Sequence, residues 1–279
     1  MHKSSLALVK EPRFFAYEDE ELSFQDPSSS KISCVTNLED YRSLFKQASN
    51  EIAIGEASTW YLSSHKAPQR IYHHIPDVKL IAMLRDPVDR AYSHFLHLIR
   101  DKVEPITSFS QAMSAEDLRI EHNWSPHWHY KQQGFYYSHL QRYFDLFEQD
   151  KIRVYLYEDF TNNPVEVLKD IFSFLGVEES FVPNMSIKYN ISGLPKSNNI
   201  HQYLMKRFWN NKRPKNVLDR LLNLEFSQYI QAKIIQLNLN RKPKLSPTLR
   251  NQFIEEYRED ILNLQDLIGR DLSSWLAAN

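Results

Sequence analysis

Arg85 and Ser93 place a guanidinium and a hydroxyl just after a short apolar run, a combination suited to gripping a phosphate. A planar guanidinium offers an oxyanion two parallel N–H donors, and a hydroxyl adds one more. A plainer reading pairs Arg85 with Asp86 or Asp89 and leaves it topping a strand. Two carboxylates could handle protons. Glu11 sits in Lys10-Glu-Pro-Arg-Phe-Phe15, which by residue type alone reads as a surface charge pair beside two buried rings. Glu56 ends a short apolar stretch and reads equally as a buried structural carboxylate or a catalytic one. Trp60 and Tyr61 follow it, either as core or as acceptor contacts. Lys196 and Ser197 add a cation and a hydroxyl in a late loop, where a plain loop lysine is the alternative. His122, His127 and His129 invite a metal reading, but without a cysteine or an i, i+4 histidine pair they fit better as part of an aromatic loop over a site mouth.

These groups need elements to position them. Leu80 to Leu84 is too short for a helix and lacks polar alternation, which predicts a strand buried on both faces. Asp86 as cap and Pro87 in the first turn then predict a helix through Arg90, Ser93 and His97. In open α/β sheets ligands bind at the carboxyl ends of strands, where helix N-termini present free N–H groups, so Arg85 would face a ligand. Thr36-Asn-Leu-Glu39 reads as a capping box opening a helix to about residue 48, and 66–74 as an amphipathic helix completing a right-handed β-α-β unit. Residues 108–117 form a further helical piece and 151–159 a further strand. Asn163-Pro164 starts a helix that Gly176 ends, and Ser246-Pro247 starts a long one striped by Phe253, Tyr257, Ile261, Leu264 and Leu267.

In order along the chain, these segments resemble sulfotransferases that use 3′-phosphoadenosine 5′-phosphosulfate (PAPS), of the bacterial and heparan-sulfate type. Leu84-Arg-Asp-Pro-x-x-Arg-Ala-x-Ser93 resembles the family's 3′-phosphate segment, which would make Arg85 and Ser93 nucleotide ligands. Lys10 to Phe15 resembles Lys-Glu-Pro-His-Phe-Phe, in which the glutamate is the proposed general base; Glu11 matches and Arg13 replaces the histidine. Gly55-Glu-Ala-Ser-Thr-Trp-Tyr-Leu62 resembles Gly-Glu-Lys-Ser-Pro-x-Tyr-Leu, with Glu56 and Ser58 matching and Ala57 where many members carry a lysine. Gly134-Phe-Tyr-Tyr-Ser-His-Leu140, and Tyr157-Glu-Asp-Phe160 with Phe174-Leu-Gly-Val177, are scaffold matches. Asn190 to Ser197 resembles the loop closing over the nucleotide, with Lys196 and Ser197 as phosphate contacts.

The resemblance implies an α/β, P-loop-type three-layer sandwich with a mostly parallel central sheet. It implies sulfuryl transfer from PAPS to a hydroxyl or amine of a glycan, lipid or small-molecule acceptor, releasing 3′-phosphoadenosine 5′-phosphate (PAP). Glu11 and Glu56 would be catalytic, and Arg13 and Trp60 would contact the acceptor. One departure stands out: none of the five glycines lies in the family's Gly-rich phosphosulfate loop, so the first β-α unit is expected to be missing. Losing such donors removes about 3 kcal/mol of transition-state stabilisation. A late reading frame or a PAP/PAPS-binding remnant is then expected.

The chain's 279 residues, 42% hydrophobic, suffice for a single domain with a core at about 8–205 and a helical extension over 206–279. A net charge of −1 gives no global case for nucleic acid, although 196–250 holds twelve Lys/Arg against Asp219 and Glu225. That stretch reads as a solvated basic face or as a field for an anionic ligand; a partner-binding protein using it is the rival reading. Cys34 is alone, so there is no internal disulfide, and no 18-residue apolar run occurs. A cytoplasmic protein without a membrane span, metal or nucleic-acid partner is expected.

Overall fold

The structure is a computed structural model. It describes residues 11–27, 32–183, 193–197, 199–201, 203, 233–234, 237–240 and 242–277, with the backbone of Ser5–Leu6. The chain divides into two compact units, 1–91 with 113–182 and 247–279, and 92–112 with 183–246.

In the first unit two parallel strand pairs form, β1 (Ser5–Leu6) with β2 (Ile54–Gly55) and β3 (Leu80–Leu84) with β4 (Ile152–Leu156). The helices are α1 (Phe14–Tyr17), α2 (Leu38–Ser43), α3 (Trp60–Ser63), α4 (Ala67–His74), α5 (Pro87–Arg100), α6 (Phe109–Ser114), α7 (Glu116–Glu121), α8 (Tyr136–Phe144), α9 (Tyr157–Asn162), α10 (Pro164–Leu175) and α11 (Pro247–Ile268); α5 and α6 each include residues of the second unit. The α/β class with parallel strands is as the sequence implies.

Alternation along β3 and β4 decides what packs where. On one face Leu80, Ile152 and Val154 join Phe14, Phe15, Tyr41, Ile71, Tyr143 and Phe147 in a core, where Phe14 stacks on Tyr41 with centroids 4.4 Å apart. Burying Phe14 completely is worth about 2–3 kcal/mol. On the other face the Tyr155 hydroxyl donates to Asp170 at 2.5 Å and Arg153 lies 4.7 Å over Phe174, which seats α10. β3 is not buried on both faces as expected: Ile81 and Met83 are each 42% exposed. Among the described residues β3 pairs only with β4, and α10 meets the β4 side of that face.

Element ends shift by a residue or more. The α2 cap is Asn37, whose Oδ1 accepts from the Asp40 N–H at 3.0 Å, and the helix yields to turns beyond Ser43. The expected strand 151–159 stops at Leu156, and Tyr157 opens α9. The piece at 108–117 is two helices, α6 and α7. Pro164 and a left-handed Gly176 bound α10 as expected. α11 buries Phe253, Tyr257, Ile261 and Leu264. Its Asp260 accepts from the Tyr137 and Ser138 N–H groups at 3.0 and 3.2 Å, capping α8 from 122 or more residues away.

In the second unit Phe109 packs on Tyr92 and Phe95 at 5.1 and 5.4 Å, and Pro195 bridges Leu239 antiparallel. Residues 206–232 of the expected extension lie outside the described residues, as do Lys10 and Asn190 to Ser192.

Candidate active site

The turn after β3 forms as its residues dictate. Asp86 Oδ1 accepts from the Asp89 N–H at 2.9 Å, and the Arg90 N–H donates to the Asp86 carbonyl at 2.8 Å, starting α5 behind Pro87. Arg250 of α11 bonds the Asp86 carboxylate and stands 3.8 Å from Asp89. Burial nevertheless pushes the Asp86 carboxyl above its usual range, against the pull of the Asp89 N–H and Arg250. Arg85 emerges at this tip, 29% exposed, 4.0 Å from Asp89 and 5.0 Å over the Tyr157 ring. So loose an ion pair is worth at most about 1 kcal/mol. Ser93 is 7% exposed in α5, within the second unit.

The second cluster joins the segment after β1 to the segment after β2. Glu11 and Arg13 flank Pro12 with φ of 56° and 57°, the left-handed region that non-glycine residues rarely occupy. Such strain persists only where surroundings hold it and tends to gather at functional sites. Here the Arg13 N–H donates to Ser58 Oγ at 3.0 Å, and Ser58 Oγ donates to Glu56 Oε2 at 3.0 Å. Tyr41 donates to Glu56 Oε1 at 3.4 Å, and the Tyr61 hydroxyl bonds the same carboxylate. Burial raises the Glu56 pKa, the three hydroxyls opposing it and the charge of Glu11 adding to it. Glu56 is therefore an anchored carboxylate. Glu11 is more open: its side chain is 26% exposed, and Oε2 accepts from Arg13 at 3.1 Å and from Thr59 at 3.5 Å.

Trp60, at the start of α3, is 5% exposed and carries the Arg13 guanidinium 4.1 Å over its ring. The His127 ring meets Trp60 edge-on at 5.0 Å. Burial, chiefly, and the Arg13 charge push that imidazole below its usual pKa, against the pull of Asp26 and Glu11. His127 is the one residue of the expected aromatic loop found against this cluster. Trp128 and Tyr130 are fully buried and pack with Trp124 around the Arg119 guanidinium at 5.0 to 5.9 Å, so they are core rings and not a cover over a site mouth. Their residue type suits either role; the Arg119 cation that gathers them decided between the two. Among the described residues no group of three His, Cys, Asp or Glu side chains could hold a metal.

Lys196 and Ser197 belong to the second unit, on the strip that bridges Leu239. In the first unit, a hollow of about 360 Å³ lined by Lys79, Lys151, Arg153 and Phe174 lies at the amino end of β3 and β4, the end opposite Arg85. Its cations Lys79 and Arg153 lie over Phe174 near the carboxyl end of α10, an ordinary role for basic residues there. Sequence reasoning missed Arg250, Thr59 and Tyr41 as site neighbours, and the bond from Tyr61 to Glu56. Arg250, Thr59 and Tyr41 meet partners 15 to 164 positions away, which no local signal announces.

Residues 10–181 match the model described as "Sulfotransferase family". The human bifunctional heparan sulfate N-deacetylase/N-sulfotransferase 3 is 28% identical over 182 residues, 63% of this chain and 20% of that protein. The membrane-associated sulfotransferase kil1 of Dictyostelium discoideum is 22% identical over 271 residues, 68% of this chain and 55% of that protein. The chain thus spans about a fifth of the heparan sulfate relatives. A crystal structure of a sulfotransferase from Alicyclobacillus acidocaldarius superposes with a TM-score of 0.72 at 28% identity, covering 98% of this chain and 89% of that one.

Proposed function

The chain belongs to the sulfotransferase family, and from that premise we propose that it moves a sulfuryl group from PAPS to a hydroxyl or amine of a glycan, lipid or small-molecule acceptor. The observation that carries this reading is the strained Glu11-Pro12-Arg13 turn, braced by Ser58 and Glu56 and topped by Trp60. In the proposed step the acceptor oxygen or nitrogen attacks sulfur in line, the bond from sulfur to the 5′-phosphate oxygen breaks, and PAP leaves with the electron pair. Positioning and charge stabilisation do most of the work in such transfers. Glu11 takes the acceptor proton, as its partly open carboxylate allows. Glu56 holds Ser58 and through it the Arg13 backbone, while Arg13 and Trp60 orient the acceptor.

Arg85 and Ser93 bind the 3′-phosphate, with Lys196 and Ser197 adding contacts from the later strip. The scheme needs no metal. Heparan sulfate relatives make a glycan amine the first acceptor to test. Cytoplasmic residence belongs to the same reading, on the single thiol Cys34; no described helix is long and apolar enough to cross a membrane. A second reading, nucleotide binding without turnover, is favoured by Ala57, which stands where many members of the resembled family carry a lysine.

Two assays separate these readings. Calorimetry should show PAP binding under both, whereas labelled sulfate should pass from PAPS to a glycan amine only under the first. Arg85→Ala should weaken PAP binding by about 30-fold or more, the effect of deleting one partner of a hydrogen-bonded charge pair. Unchanged PAP affinity in that variant would discard both and leave the partner-binding alternative.

A further inference from the structure

The second unit holds Lys196 in an unusually determined way. Its N–H donates to the Asn238 carbonyl at 2.7 Å, and the Asn240 N–H donates to the Leu194 carbonyl at 2.8 Å, on either side of the Pro195 and Leu239 bridge. The two strips pass so close that a Cβ on Gly193 would stand 2.3 Å from the Asn240 carbonyl oxygen. Beyond the bridge the backbone pairing ends and a side chain takes over. Asn238 Oδ1 accepts from the Ser197 N–H at 3.3 Å, and Asn238 Nδ2 donates to the Ser197 carbonyl at 3.2 Å. One carboxamide therefore satisfies both polar groups of the residue after Lys196, as a neighbouring strand would. Asn238 is 9% exposed, so these bonds are shielded from water. Ser197 in turn starts a helical turn: its Oγ accepts from the Ile200 N–H at 3.4 Å and its carbonyl from the His201 N–H at 3.0 Å. His201, 1% exposed, lies 3.4 Å from Asp101.

We propose that Asn238 is a positioning residue for the nucleotide: its carboxamide fixes the 196–197 backbone so that Lys196 is presented to a phosphate without further ordering on binding. The inference rests on the nucleotide contact assigned to Lys196 above. Its physical basis is preorganisation, since a lysine on a loose strip loses affinity to the entropy of ordering the strip. An asparagine in a stretch of twelve basic residues carries no charge to attract a phosphate itself, so its effect must pass through the backbone it holds.

The test is a double-mutant cycle on the full chain, reading the PAP dissociation constant by calorimetry and the fold by circular dichroism. Lys196→Ala is expected to raise Kd about tenfold or more, Asn238→Ala about tenfold, and the double variant no further than Lys196→Ala alone. If Lys196→Ala changes nothing, the nucleotide contact is wrong and the inference goes with it. If Lys196→Ala weakens binding and Asn238→Ala does not, the contact stands and the positioning role is refuted. Losses that simply multiply in the double variant would mean that Asn238 acts on the fold alone, and would also refute it. Should Asn238→Ala not fold, Asn238→Leu fills a similar volume and loses both carboxamide bonds to Ser197 without adding a charge. It is expected to raise Kd severalfold with Lys196 present and not without it, and equal effects in both backgrounds would overturn the proposal.

Discussion

Glu11 and Arg13 show at the residue scale why a motif is more than its letters. Two left-handed residues around a proline are held by hydrogen bonds from a different segment, and the result leaves one carboxylate partly open while a second is half-buried among three hydroxyls. The two carboxylates therefore differ in availability for proton transfer. Glu11→Gln should lower sulfate transfer by about 10²- to 10⁴-fold with PAP affinity within about twofold, measured by labelled transfer and calorimetry. A matching fall in PAP affinity would make Glu11 a structural residue. The motif letters disclosed which residues to watch, since Glu11, Glu56, Arg13 and Trp60 do come together. They did not disclose that Glu56 is anchored, because its donors Tyr41 and Tyr61 sit on two separate helices.

At the scale of elements, the contact between α11 and the turn Gln132–Gly134 that precedes α8 is the sharpest constraint. A Cβ on Gly134 would lie 2.8 Å from the Tyr257 ring, which is fully buried and pinned by its hydroxyl to the Lys131 carbonyl at 2.9 Å. Gly134→Ala should therefore destabilise the fold by about 1–3 kcal/mol in urea denaturation, and an unchanged midpoint would show that the ring can yield. Beside it, Glu116 of α7 is 2% exposed and accepts from the Lys131 and Gln132 N–H groups at 2.5 and 2.7 Å. Burial pushes its pKa up from 4.5 to about 7, against those donors and Arg90. A raised carboxyl pKa means that the folded chain keeps its proton longer than the unfolded chain does. The protonated group's contribution is present below about pH 4.5 and is lost as pH rises to about 7, on the order of 3 kcal/mol in all. The stability gap between wild type and Glu116→Gln should narrow over that interval, and parallel pH curves would contradict the assignment.

For the whole molecule, ligand binding to the folded state is the broadest check. PAP at about 100 times its Kd should add about 2.7 kcal/mol of stability, visible as a raised Tm that Arg85→Ala, at the same PAP concentration, cuts to about a third or less. A Tm indifferent to PAP in the wild type would count against a nucleotide site anywhere in the chain. What the sequence alone determined is the strand, turn and helix at residues 80–100, along with the bounds of α10. An apolar run, a capping aspartate, a proline in the first turn and a terminal glycine each act within one or two turns, so neighbours suffice to specify them. The tertiary structure decided the rest: Arg250 on Asp86 across 164 positions, Asp260 capping α8 across 122 or more, rings at 124–130 drawn into the core, and β3 left half open. Those outcomes depend on which faces meet and which charges lose their water together, and a chain read one neighbourhood at a time carries no record of either.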